Sequence, residues 1–135
     1  MSWFRRRKNV PEHFEPLVAC GPLADEVTEA VPELAGPLES FLSEWGDEPP
    51  EPGLVNLADS VLFPFVEKML RSGDSRDLLK RLFEVLERMA THPDPHVRDA
   101  LQVGVVNPLV DRPDLFELAR PLMGPRTLGM TQPSG

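Results

Sequence analysis

The stretch RDLLKRLFEVLERMATHPDPHVRDALQVGVV, residues 76–106, decides the fold. In its first half Leu78, Leu79, Leu82, Phe83, Val85, Leu86, Met89 and Ala90 recur at helical steps of three and four, which predicts a helix over 76–90. Asp74 or Ser75 stands where an N-cap belongs, its side-chain oxygen placed to accept an orphan backbone N–H of the first turn. The apolar positions take up more than half of the circumference, so this helix is expected at the centre of the core, packed from two sides. Lys80, Arg81, Glu84, Glu87 and Arg88 fill the remainder, with Glu84 and Arg88 spaced to pair at i,i+4.

The second half turns a corner. Asp94 precedes Pro95, the signature of a helix start: Asp94 as N-cap accepts the N–H of His96 or Val97, and Pro95 occupies the first helical position. Val97, Ala100, Leu101, Gly104 and Val105 then form a buried stripe, and Gly104 lets a neighbouring backbone come close. Arg98 is expected to brace the corner by reaching Asp94 or the preceding helix. Asp94, Pro95, Val97 and Arg98 therefore read as structural residues. His92 and His96 have the i,i+4 spacing of a helical metal pair, but Pro93 and Pro95 intervene and the helix begins only at Pro95, so both are expected as solvent-exposed turn residues.

Outward from this pair, the rest of the chain also reads as helix. Its 135 residues have the length of one ordinary domain, Ile and Tyr are absent, and no segment shows sustained strand-type alternation. The 16 prolines, more than twice the usual frequency of roughly 5%, mark element boundaries. Residues 16–45 divide into two or three short helices: Pro32, Gly36 and Pro37 interrupt the apolar seam Val27, Val31, Leu34, Leu38, Phe41, Trp45, so one helix is expected to end near Ala30 and another to start with Pro37 in its first turn. GDEPPEPG, 46–53, is a loop. In NLADSVLFPFVEKMLRSG, 56–73, Leu62, Phe65, Val66, Met69 and Leu70 share a face, Pro64 either kinks the helix or opens a second segment, and Gly73 ends it in a left-handed cap. A further helix follows Pro113. The expected organisation is a basic arm at 1–10, one all-α domain at 11–123 built as a compact bundle of about five to seven helices (acidic part 11–45, loop 46–53, remainder 54–123), and a loose tail at 124–135.

Asp94, Val97, Arg98 and Ala100, following a helix and a short turn, resemble the turn and second-helix signature of a HEAT repeat. The resemblance covers residues 76–109, about a quarter of the chain, and implies an antiparallel helical pair there. DRPDLFELARPLM, 111–123, lacks the Val-Arg element, and stacked repeats need about three units to close a core, so a HEAT-like bundle is expected rather than a solenoid. In size, helical layout and acidity the chain also resembles small bacterial immunity proteins that accompany polymorphic toxins; this resemblance implies a cytoplasmic inhibitor of a cognate toxin.

Charge supplies the functional expectation. After Arg5, Arg6, Arg7 and Lys8 there is no Lys or Arg until Lys68, while 13 Asp or Glu fall between Asn9 and Glu67; residues 68–135 are nearly neutral and the chain carries −8 overall. Glu26, Glu29, Glu33, Glu39 and Glu44, with Asp47 and Glu48 of the loop, are the expected partner-binding residues, because a one-signed surface steers a basic protein and repels nucleic acid. The alternative is a nucleic-acid- or membrane-associated regulator acting through Trp3, Phe4 and Arg5–Lys8. No G-x-S-x-G, phosphate-cradling glycine loop or H-E-x-x-H is present, so neither enzymatic activity, nor a cofactor, nor a metal is expected. The basic start lacks the apolar segment of a signal peptide, no run is long enough to span a bilayer, and the single Cys20 fits a reducing compartment, which together lead to a cytoplasmic expectation.

Overall fold

The computed structural model describes residues 21–46 and 52–131. The basic arm, Cys20, Asp47, Glu48, most of the 46–53 loop and the last four residues lie outside them. The described residues fold into seven helices and no strand, an all-α architecture: α1 (Gly21–Ala30), α2 (Ala35–Trp45), α3 (54–72), α4 (Arg76–Ala90), α5 (95–110), α6 (Pro113–Ala119) and α7 (Pro125–Gly129). None of them is long and apolar enough to cross a membrane.

The centre is α4, as its sequence pattern requires. Ser75 caps it, its hydroxyl oxygen accepting the Leu78 N–H at 3.1 Å. Seven of its side chains are buried, with Leu82 and Leu86 fully so, because α1, α3, α5 and α7 all pack against it. Ordering such a helix depends more on that burial than on propensity, each buried Leu contributing about 1.5–3 kcal/mol. Its ion pairing differs from the Glu84–Arg88 expectation: Arg81 instead holds Asp77 one turn back at 3.1 Å, and Glu87 turns inward.

Proline placement explains α3 and α5. Pro64 does not interrupt the helical run; the chain passes from Leu54–Leu57 through a wide π turn, Ala58–Leu62, into a further α-helical segment, Phe63–Ser72, with the proline in its first turn. The same arrangement recurs in α5, where Pro95–Leu101 passes through a π turn, Gln102–Val106, into Asn107–Val110. In each case the residue just before the proline, Phe63 or Asn107, donates its N–H five residues back, to Ala58 or Gln102. A proline ring collides with the carbonyl four residues earlier in a regular α-helix, and widening one turn moves that carbonyl aside without ending the helix.

The two wide turns pack on one another. A Cβ on Gly104 would lie 2.5 Å from the Ala58 Cβ and 2.9 Å from the Asp59 backbone nitrogen, so only glycine permits this approach. Ala58, Val105 and Val106 are fully buried around the crossing. Gly73, at φ 62°, ends α3 in the left-handed cap expected of it.

On the flanks, Pro32 opens a single 3-10 turn, Pro32–Leu34, that joins α1 to α2. Val27, Val31 and Leu34 are buried, while Leu38 and Phe41 lie partly buried on the core. No side chain of α2 is fully buried. At the other end, α6 is tied to α3 by Arg71, which reaches Asp114 at 3.1 Å, and by Arg112, which reaches Glu67 at 3.1 Å and stacks on the Phe63 ring at 5.1 Å. Residues 124–131 are not the loose tail expected of them. The N–H groups of Arg126 and Thr127 and the Thr127 hydroxyl all donate to the Glu87 carboxylate, at 2.9, 3.0 and 2.8 Å, so α7 is docked on α4 and Thr127 is buried.

Candidate interaction surface

The corner between α4 and α5 is built from the residues that the sequence marks. Asp94 Oδ1 accepts the His96 N–H at 2.9 Å, and the His96 ring Nδ1 lies 3.1 Å from the same oxygen. The His96 N–H, followed by its ring, holds the Asp94 carboxyl below the ordinary aspartate range. Val97 is buried against the core, and Arg98 Nη1 donates to the His92 carbonyl, bracing the turn through backbone rather than through Asp94.

His92 differs from the exposed turn residue expected. It is partly buried, its Nδ1 accepts the Asp94 N–H at 3.1 Å, and its Nε2 lies 3.5 Å from Glu26 on α1. The ring thus links the corner to the first helix. His96, with 64% of its side chain exposed, does face solvent. Among the described residues no group of three or more His, Cys, Asp or Glu side chains is placed to hold a metal.

The acidic residues expected to meet a partner separate into two groups. Glu33 is spent inside the fold: both its oxygens are gripped by the Arg81 guanidinium, at 2.8 and 3.1 Å, and that pair of hydrogen bonds holds its carboxyl below the ordinary glutamate range. The same contacts push the Arg81 pKa up. Glu26 is half committed through His92. Glu29, Glu39 and Glu44 remain exposed, and no described residue pairs with their carboxylates. Asp25 beside them is in the same state. The carboxylates of Asp25, Glu29, Glu39 and Glu44 are therefore not compensated by any described cation, and neither helix contains a Lys or Arg.

That surface has a concavity. Pro37, Ser40, Phe41, Glu44 and Trp45 of α2 and Ser60 of the π turn in α3 line a cleft of about 360 Å³. The Phe41 and Trp45 rings are 5.6 Å apart and tilted at 58°, an aromatic wall one helical turn long. Across from them lies Ser60, whose hydroxyl donates to the neighbouring Asp59 carboxylate at 2.8 Å. Sequence reasoning found Glu44 but missed the cleft. The available signal was Phe41 and Trp45 at i,i+4 on a helix whose apolar face is only partly covered by the core; Ser60 carried none, because it reaches the cleft only through the π turn.

Fold and surface together define an all-α protein whose outer helix pair presents free carboxylates beside an aromatic cleft. The chain belongs to the family described as Domain of unknown function (DUF7674), whose family model matches residues 24–131. The match takes in the acidic helices, the α4–α5 pair and α7 together, so the last helix is part of the family's domain. No curated protein and no solved structure matches the chain.

Proposed function

We propose that this protein is a non-enzymatic protein-interaction module that meets a basic partner through the exposed surface of α1 and α2, and that it acts as a cytoplasmic inhibitor of the immunity type, neutralising a cognate toxin by binding it. The observation that carries this reading is the state of the carboxylates: Asp25, Glu29, Glu39 and Glu44 are exposed and unpaired by any described residue, on two helices without a compensating cation. Like charges held together raise the free energy of the unbound state, and a basic surface relieves that repulsion while being steered to it. Glu33 and Arg81 fix the α1–α2 connection to α4, which holds these groups on a set surface in advance of binding. The resemblance of the 76–109 pair to HEAT repeats supports a binding role in a general way.

The test has two stages. A partner captured on the immobilised chain at low salt and released at high salt is identified and purified, and its affinity is then measured for the wild type and for E29K/E39K/E44K. Loss of about tenfold to a hundredfold on reversal of these three exposed charges is expected, with the circular-dichroism spectrum unchanged. Growth inhibition by the expressed partner, relieved by the wild type and not by the reversed variant, distinguishes an immunity role from binding alone. An affinity indifferent to both salt and charge reversal rejects the reading.

A further inference from the structure

The cleft between α2 and the π turn of α3 has a shape and a chemistry that select among basic partners. Its volume of about 360 Å³ is at the lower end of the roughly 300–1,000 Å³ typical of small-ligand sites, which suits one long side chain or a few residues better than a cofactor. The Phe41–Trp45 aromatic pair lines it together with Glu44, Ser40 and Ser60. No Lys or Arg is among the described lining residues. An anion would meet Glu44. A purely apolar group would leave Glu44 without a partner. A flat cation satisfies both halves of the lining: its face lies against the rings while its N–H groups reach carboxylate and hydroxyl oxygens.

We propose that this cleft receives an arginine side chain from an extended basic segment of the partner, the guanidinium stacking against Phe41 and Trp45 and pairing with Glu44. This inference rests on the reading of the acidic surface given above and adds to it a named pocket and a preference for arginine over lysine. That preference follows from the planar, forked guanidinium, which stacks and bonds at once, whereas an ammonium is a compact, strongly hydrated charge that does only one of the two well.

The probes are hexa-arginine, hexalysine and hexaglutamate peptides added to the full-length, isotope-labelled chain, with amide and Trp indole resonances followed by NMR. Hexa-arginine is expected to shift the Trp45 indole and the Phe41 and Ser60 amides, to bind about threefold to tenfold more tightly than hexalysine, and to lose a similar factor in E44Q. S60W fills the cleft from an exposed position without altering charge, and it is expected to abolish the Trp45 and Phe41 shifts while leaving general salt-sensitive binding in place. Hexa-arginine binding that is salt-sensitive yet indifferent to S60W and E44Q, with shifts spread over α1 and α2, overturns the cleft and leaves the acidic-surface reading standing. Absence of any salt-sensitive binding overturns both. If deleting residues 1–8 by itself moves the Trp45 indole and tightens hexa-arginine binding about tenfold, the chain's own basic arm is the occupant and a partner arginine is not.

Discussion

Replacing Gly104 by Ala tests the crossing of the two π turns, the contact on which the relation of α3 to α5 depends. The added Cβ would meet the Ala58 Cβ at 2.5 Å, the Asp59 nitrogen at 2.9 Å and the Ala58 carbonyl carbon at 3.1 Å. Two of these three atoms are backbone, so no rotamer change relieves the overlap and the helices must separate. Overpacking of this kind costs typically 1–3 kcal/mol, and the backbone contacts place it in the upper part of that range, about 2–3 kcal/mol. Against this stands the greater helix propensity of alanine, about 0.8–1 kcal/mol over glycine. The net expectation is a loss of about 1–2 kcal/mol, a fall in melting temperature of about 3–10 °C for a chain of this length. Thermal and urea unfolding followed by circular dichroism measures it. Gly36→Ala is the control: nothing lies within 4 Å of a Cβ there, so the same change is expected to be neutral or stabilising. Ala58→Gly removes the closest contact and should cost less in the Gly104→Ala background than alone, a coupling of about 1 kcal/mol. A Gly104→Ala protein as stable as the wild type would refute the close crossing.

Two further outcomes follow from the internal carboxylates. Burial pushes the Glu87 carboxyl up, but the Thr127 and Arg126 N–H groups, the Thr127 hydroxyl and the Arg126 charge outweigh it and leave the pKa lowered, so the stability it contributes is present above the unfolded value near 4.5 and is lost as pH falls through the folded value. Glu87→Gln is therefore expected to lower stability at neutral pH by about 1–3 kcal/mol, to flatten the acid limb of the stability curve below about pH 4.5, and to speed amide exchange in α7; an unchanged acid limb counts against the docking role. Arg81→Ala should return the Glu33 carboxyl towards the ordinary glutamate range in a carbon-detected NMR titration, and a value that stays low would show that something other than the guanidinium holds it.

The elements that could be read from sequence are those in which local chemistry and burial agree. Ser75, Asp94 with Pro95, and Gly73 are each short-range signals with one physical meaning, and α4 announces itself by the width of its apolar face. Pro64 shows where such signals stop: a proline within an apolar pattern allows a kink, a break or a wide turn, and packing against Gly104 forty residues on is what accompanies the third. The docking of α7 depends on Glu87, 39 residues before Arg126, a pairing that no local pattern contains. The candidate surface divides in the same way. Composition located the acidic block, but which of its carboxylates stay free was settled by Arg81 and His92, and the cleft exists only because α2 is laid beside the π turn of α3.

The central claim is that the free carboxylates of α1 and α2 are a binding surface for a basic protein. The most direct measurement is the affinity of the purified captured partner for the wild type and for E29K/E39K/E44K across a salt series. The expected result is a steep fall in wild-type affinity with salt and a weak, nearly salt-independent affinity for the reversed variant. Equal affinities and equal salt slopes for the two proteins would contradict the claim.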